Sequence, residues 1–186
     1  GMILAISLLA SESPIVEAEG MSQEEIRLLF EQEQRRLVID SIQVNTGLDE
    51  SVASKIYEEA NQYPALSVDL LTALIFVEST YNPLAVSHAG AIGIMQIMPQ
   101  TGEWLAEKLG VPFDIEMLYD PIYNIELGSY FLADLIERYD ELHSALTAYN
   151  RGEKGLEDYQ ELHQRSHSAY STKIIELLTE NPYWNP

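Results

Sequence analysis

Cysteine is absent from this chain of 186 residues. No disulfide framework, thiol nucleophile or thiolate metal site can form, and the sequence holds no lipid-bearing cysteine. The redox compartment does not follow, because a chain of this length buries roughly 70% of its unfolded surface without covalent staples. Basic residues are scarce: 10 Lys+Arg stand against 30 Asp+Glu, a formal charge of −20. Phosphate backbones and anionic lipid surfaces both demand clustered Lys and Arg, so the balance argues against nucleic acid and against adsorption to anionic lipid. The acidic excess by itself reads as solubility. The apolar run Ile3-Leu4-Ala5-Ile6-Ser7-Leu8-Leu9-Ala10 is too short to span a bilayer. It lacks a basic flank and reads either as the trimmed end of a signal or anchor segment or as a packing segment; Gly1 ahead of Met2 reads as a tag scar.

Period-2 alternation is also scarce, whereas apolar residues recur at helical spacing, so the expected fold is all-α. A first helix is predicted from Ser22 to about Val44, with Ile26, Leu29, Phe30, Leu37 and Ile42 near a 3.6 period. A second is predicted from about Asp49 to Gln62, and a third from Ser67 to Glu78, apolar on nearly every side and therefore central. Residues 79–98 read as loop, with Asn82-Pro83, Gly90 and Gly93 as breakers. A helix is expected from Pro99 to Gly110, another from the Asp120-Pro121 start to about Tyr139. The next covers Leu142 to Tyr149 and is broken by Gly152 and Gly155; the last runs from about Ser168 to Leu178. No internal repeat or low-complexity segment appears.

The informative absence of charge follows Glu78. The twenty-four residues Ser79 to Gly102 contain no Asp, Glu, Lys or Arg. A carboxyl beside Leu74-Ile75-Phe76-Val77 is poorly solvated, and it lies near a helix C-terminus, where the macrodipole disfavours an anion. Both effects favour the protonated acid near neutral pH, the state a general acid needs when it faces an uncharged substrate. The bland alternative is a solvated glutamate at a helix end, or one paired with a base; the charge-free flank offers no nearby partner for the latter. Two further segments are weak alone. Gly90-Ala91-Ile92-Gly93-Ile94-Met95-Gln96 reads either as a glycine turn before a helix or as backbone that approaches a ligand, with Met95 offering a soft apolar surface and Gln96 an amide. Ala148-Tyr149-Asn150-Arg151-Gly152 carries a common helix stop signal, and Tyr149 fits a core position equally well.

Taken in order, Glu78-Ser79, Gly93-Ile94-Met95-Gln96 and Ala148-Tyr149-Asn150-Arg151-Gly152 resemble the three signatures of the lytic transglycosylases of the soluble murein transglycosylase type. The match extends through Ile97-Met98-Pro99 and through Asn124, Gly128, Tyr130 and Leu132, and covers roughly residues 65–178. The resemblance implies a goose-type-lysozyme-like helical domain over 65–186, with residues 21–64 as a helical extension packed on it and 1–20 as an N-terminal segment. It implies as substrate the peptidoglycan glycan strand, cut between N-acetylmuramic acid and N-acetylglucosamine. By carry-over, Glu78 is the single catalytic acid/base, Ser79 positions Glu78 and the substrate, and Met95 and Gln96 line the groove around the reacting sugar. Tyr149 and Asn150 form the opposite wall, and Tyr170 is the tyrosine that reaches the acid from the last helix. Two departures stand out. Ser166-His167 occupies positions where family members often carry Glu-Thr, and Arg151 stands where a small residue is common.

The motif region supplies one carboxylate where most glycosidases use two. Glu103, Asp114 and Asp120 are other acids in reach of the sequence, but none sits in a signature. One carboxyl implies substrate assistance, with a 1,6-anhydro product and no metal or organic cofactor. Arg151, Lys154, Arg165 and Lys173 in the last quarter are weak candidates for contacts to stem-peptide carboxylates, or plain charge compensation on an acidic surface. The other readings are a hydrolytic muramidase of the same fold, a silent glycan-binding or scaffold protein, and a helical module that docks a cell-envelope partner through residues 22–62. A monomer in a periplasmic or otherwise extracytoplasmic place, with or without a membrane anchor, is the expected setting.

Overall fold

Local signals place the helix starts. In the computed structural model, which describes residues 21–180, Ser22 and Glu25 exchange hydrogen bonds in a reciprocal capping box at the head of α1 (Gln23–Thr46). Asp49 caps α2 (Glu50–Gln62), and Ser67 caps α3 (Val68–Ser79) through the amide of Leu70. Pro99 opens α4 (Pro99–Leu109), which ends at Gly110. Asp120 caps α5 (Pro121–Arg138) through the amides of Ile122 and Tyr123. The chain closes with α6 (Leu142–His163) and α7 (Ala169–Glu180). Each cap of this kind stabilises its helix by about 0.5–2 kcal/mol, which is why the expected starts lie within a residue or two of the observed ones.

Two features were not anticipated. A 3-10 helix, Ile115–Tyr119, sits between α4 and α5 behind the cap Asp114. Beyond the expected break at Gly152 (φ 73°, ψ 166°) the helix resumes over 153–163. Gly155 does not break it, and a Cβ there would meet only the Arg151 side chain. A single glycine of positive φ bends the path; the helix-forming residues after it restart the ladder.

The described chain divides between Leu37 and Val38 into two units. The first contains the N-terminal part of α1, where Ile26, Leu29, Phe30 and Leu37 are exposed in spite of their periodic spacing. In the second, Ile39 and Ile42 of α1 and Val52, Ala53 and Ile56 of α2 are core residues. The compact unit thus begins at Val38 and takes in α2, whereas the expected catalytic domain began at residue 65. The readings of residues 1–20 lie outside the described residues.

Within the second unit α5 packs against α2, α4 and α6, and α3 packs against α2 and α7. Leu70, Leu71, Leu74 and Ile75 of α3 are buried, so α3 is central, as its all-round apolar character requires. Residues 80–98, one residue shorter than the expected loop because Ser79 still belongs to α3, carry no regular element. They fold back through isolated antiparallel bridges that pair Ile92 with both Val86 and Ile97. No helix among the described residues is long and apolar enough to cross a membrane.

Candidate active site

Glu78 occupies the last turn of α3, partly covered, and the chain leaves that helix through Thr80 and Tyr81 in left-handed conformations (φ 52° and 64°). That reversal turns the following loop back over the helix end. Ser79, 8% exposed, holds it there: its hydroxyl lies 2.7 Å from the Ile94 carbonyl and 3.2 Å from that of Ile75. Ser79 therefore ties the helix to the loop and is turned into the protein, which suits the expected role in positioning Glu78 better than contact with a substrate.

The loop in turn hangs on Asn124, a fully buried amide in the first turns of α5. Its Nδ2 donates to the carbonyls of Ile92 (3.0 Å) and Leu118 (2.8 Å), and its Oδ1 accepts from the amide of Met95 (2.8 Å). Gly93, at φ 87°, passes so close that a Cβ would stand 2.2 Å from Asn124 Nδ2 and 2.3 Å from the Leu118 carbonyl. Asn124 appeared in the sequence only as part of the family match. The signal that could have singled it out is a polar residue at a core position of an amphipathic helix, between Tyr123 and Ile125, since a buried amide needs partners for both of its ends.

Met95 and Gln96 take different places. The expectation set the Met95 thioether in the groove; instead the side chain is completely enclosed and packs over Gly128, where a Cβ would lie 2.6 Å from Sδ. The backbone carbonyl of Met95 is what takes part in the site, accepting from the Tyr149 hydroxyl at 3.0 Å. Gln96, at φ 53°, is partly exposed and spends its amide donors on the carbonyls of Gly93 (2.9 Å) and Ala85 (3.1 Å). Its Oε1 is the atom left to accept from a ligand.

Two tyrosines bracket the acid. Tyr170, in the first turn of α7, donates from its hydroxyl to Glu78 Oε1 at 2.5 Å. Tyr149, on α6 just before the kink, is 8% exposed, and the charge of Glu78 reaches it. Burial and that negative neighbour hold both phenols well above their ordinary range, so they act as neutral donors. Glu78 itself is pushed up to about 7, because burial penalises the carboxylate more than the Tyr170 hydrogen bond favours it. Among the described residues Glu78 makes no ion pair, which removes the bland alternative of a base-paired carboxylate.

The base of α7 is tied to α6 by a chain of hydroxyls. Thr147 bonds to Ser168 (2.9 Å) and to the Ser166 carbonyl (2.8 Å), Ser168 bonds to Ser171 (3.2 Å), and Ser171 bonds to His143 (2.9 Å). His143 stacks on His167, which reaches Glu141 at 2.8 Å. The departure Ser166-His167 is thus part of the anchorage that sets Tyr170 against the acid. Asn150 is exposed beside Tyr149. Arg151 lies over the Tyr159 ring at 5.1 Å, and Lys154 is paired with Asp158 at 2.6 Å. Asp114 and Asp120 are engaged as helix caps. Among the described residues no group of three His, Cys, Asp or Glu could hold a metal ion. A cavity of about 240 Å³ opens between Asp69, Thr72, Phe76, Tyr81 and Leu177. Phe76 and Glu78 point to opposite sides of α3, and Glu78 does not line it.

Comparison with known proteins places this geometry. The family model described as the transglycosylase SLT domain matches residues 55–171. The chain is 36% identical over 98 residues to the membrane-bound lytic murein transglycosylase C of Glaesserella parasuis, and 39% identical over 83 residues to the transglycosylase of Enterobacteria phage PRD1. These alignments cover 47% and 45% of this chain but 27% and 28% of the relatives, so the chain spans only about a quarter of their length. Among solved structures it resembles an inactive mutant of the lytic transglycosylase Slt from Pseudomonas aeruginosa, with a TM-score of 0.52 and 26% identity over 82% of this chain and 26% of that one. The 70 kDa soluble lytic transglycosylase of Escherichia coli has the same TM-score at 21% identity, over 77% of this chain and 26% of that one, and shares the fold. The lysozyme-like helical architecture expected from the sequence is the one these structures have.

Proposed function

Because the chain belongs to the transglycosylase SLT family, we propose that it is a lytic transglycosylase of peptidoglycan that uses Glu78 as its only acid/base. One observation carries the proposal: a carboxyl without an ion pair among the described residues, raised to about 7 by burial and hydrogen-bonded by Tyr170. Such a group is about half protonated at neutral pH and can give a proton or take one at little cost.

The reaction follows from that single group. The Glu78 carboxylic acid protonates the oxygen of the β-1,4 bond between N-acetylmuramic acid and N-acetylglucosamine, and the bond from C1 to that oxygen breaks. The carbonyl oxygen of the 2-acetamido group stabilises the positive C1. The Glu78 carboxylate then takes the proton of the C6 hydroxyl, and O6 attacks C1 of the same sugar. The products are a 1,6-anhydromuramic end and a free 4-hydroxyl, and no water is consumed. An aligned internal hydroxyl has an effective molarity on the order of 10⁵ M or more, which is how it outruns water at C1. Gln96 Oε1, Tyr149 and Asn150 are the groups proposed to orient the strand, with Ser79 and Tyr170 holding the acid. No metal or organic cofactor enters this scheme. A substrate in the cell wall implies an extracytoplasmic place of work.

Glu78→Gln tests the assignment: on purified sacculi it should lower the cleavage rate by about 10²–10⁴-fold while the fold is retained. Mass analysis of muropeptides released by the parent protein tests the chemistry. Anhydro ends lighter by one water are expected, and reducing muramic acid ends alone would make the enzyme a hydrolase.

A further inference from the structure

A line of aromatic rings leads from the site to the surface. Tyr149 packs against Phe131 with ring centroids 5.2 Å apart, and Phe131 meets Trp104 edge-on at 6.4 Å. Phe131, on α5, is half-buried, and Trp104 is 40% exposed. The helix that carries Trp104 begins at Pro99, three residues after Gln96, so Trp104 stands within two turns of the site loop. Beside Trp104 opens a cavity of about 480 Å³, bordered by Gln100, Glu103, Glu107, Val111 and Phe113. Neither the cavity nor Trp104 has a part in the acid/base chemistry above.

We propose that Trp104 is the floor of a further saccharide subsite, on which a pyranose ring of the glycan strand stacks one or two sugars away from the cleaved bond. The proposal rests on the assignment of the strand as substrate. The reasons are chemical. An aromatic face is electron-rich, and one face of a β-linked pyranose presents a set of weakly positive C–H groups, so the two surfaces match. A sugar also carries hydroxyls around its rim, and Gln100, Glu103 and Glu107 supply donors and acceptors at the edge of the same cavity. An apolar floor with a few polar groups at its border is the usual make-up of a small-ligand site. The aromatic line makes the subsite continuous with the wall at Tyr149. Lys108 stands 5.8 Å over the Trp104 ring, an exposed contact that a stacked sugar displaces easily.

The chain has two tryptophans, Trp104 and Trp184, which allows a direct readout. The full chain carrying Glu78→Gln and Trp184→Phe is titrated with chitohexaose and with chitobiose while tryptophan emission is followed. A saturable emission change with the hexamer is expected. Trp104→Leu, which keeps apolar bulk on α4, should weaken hexamer binding in calorimetry about tenfold, equivalent to ~1.4 kcal/mol, and leave chitobiose within about twofold. On sacculi, Trp104→Leu in the otherwise unaltered chain should raise KM and spare kcat. Absence of hexamer binding, unchanged emission at saturation, or equal hexamer affinities would each overturn the proposal. Cleavage retained by Glu78→Gln would instead sink the catalytic assignment, and this titration would still read the subsite.

Discussion

The Tyr170 hydroxyl donates to Glu78 Oε1 across ninety-two positions of sequence. Among the described residues it is the one polar contact that opposes the effect of burial on this acid, and it comes from a different helix. The balance between the two sets how readily Glu78 gives up its proton.

Glu78 should therefore govern a pH dependence with a defined sign. Its folded value of about 7 lies above the ordinary 4.5. The proton-donating form is lost as pH rises through about 7, so kcat/KM should fall on that alkaline side. Stability follows the same direction. The contribution of Glu78 is fully present below pH 4.5 and is lost as pH rises through 7, because only the folded state must hold a buried carboxylate. The loss is on the order of 3 kcal/mol. Glu78→Gln removes it, so urea denaturation at pH 8 should find the variant more stable than the parent, with little difference at pH 4.5. Equal stabilities at pH 8 would contradict the burial of this group.

Tyr170→Phe deletes the bond that favours the ionised form. The alkaline limb of the pH–rate profile should move upward, and the rate at neutral pH should fall roughly tenfold, as expected for a hydrogen bond to a charged group. A lower rate with an unmoved limb would assign Tyr170 a purely structural role.

Asn124→Ala leaves the amide of Met95 and the carbonyl of Leu118 without their partner, whereas the Ile92 carbonyl keeps the Ile97 amide. At about 1–3 kcal/mol for each of these two orphaned groups, a loss of about 2–6 kcal/mol is expected, readable as a shift in the urea midpoint. Asn124→Asp should also be destabilised at neutral pH, since a carboxylate would face two carbonyl oxygens, and should recover part of the loss near pH 4 on protonation. A variant as stable as the parent would mean that water replaces the amide.

Gly128→Ala forces a Cβ against Met95, 2.6 Å from Sδ and 2.9 Å from Cβ. The thioether can swing aside, but the Met95 Cβ is fixed to the backbone, so a cost of about 1–3 kcal/mol is expected. Met95→Ala costs stability by itself, yet in combination with Gly128→Ala the two effects should sum to less than their separate costs. A double-mutant cycle in thermal denaturation measures the coupling, and strict additivity would show that the two residues do not press on each other.

Much of the architecture could be read in advance because its causes are local. Ser67 and Asp120 reach amides two or three residues away, and Pro99 and Gly110 bound α4 by their own backbone preferences. The resumption of α6 after Gly152 escaped the same reading. Glycine lowers helix propensity wherever it stands, and tertiary contacts hold the second segment in place: the packing of Leu156, the link from Arg138 to Glu153, and the hydrogen bonds of Tyr159 to the His167 carbonyl and of Gln160 to Ser166. Ser79 and Tyr170 are found beside Glu78, whereas Met95 was misplaced: a thioether suits a groove and a core equally, and the missing side chain at Gly128 decides for the core.

From the order of residues alone came the helical class, the helix starts and the isolation of Glu78 in a stretch without charge. These depend on neighbours within a turn or two, which the chain itself carries. That the Tyr170 phenol meets that carboxyl, that Tyr149 ties to the Met95 carbonyl, and how far the proton affinity of Glu78 rises were decided by tertiary packing. Desolvation is the work of side chains remote in sequence, and no local pattern encodes how closely they approach.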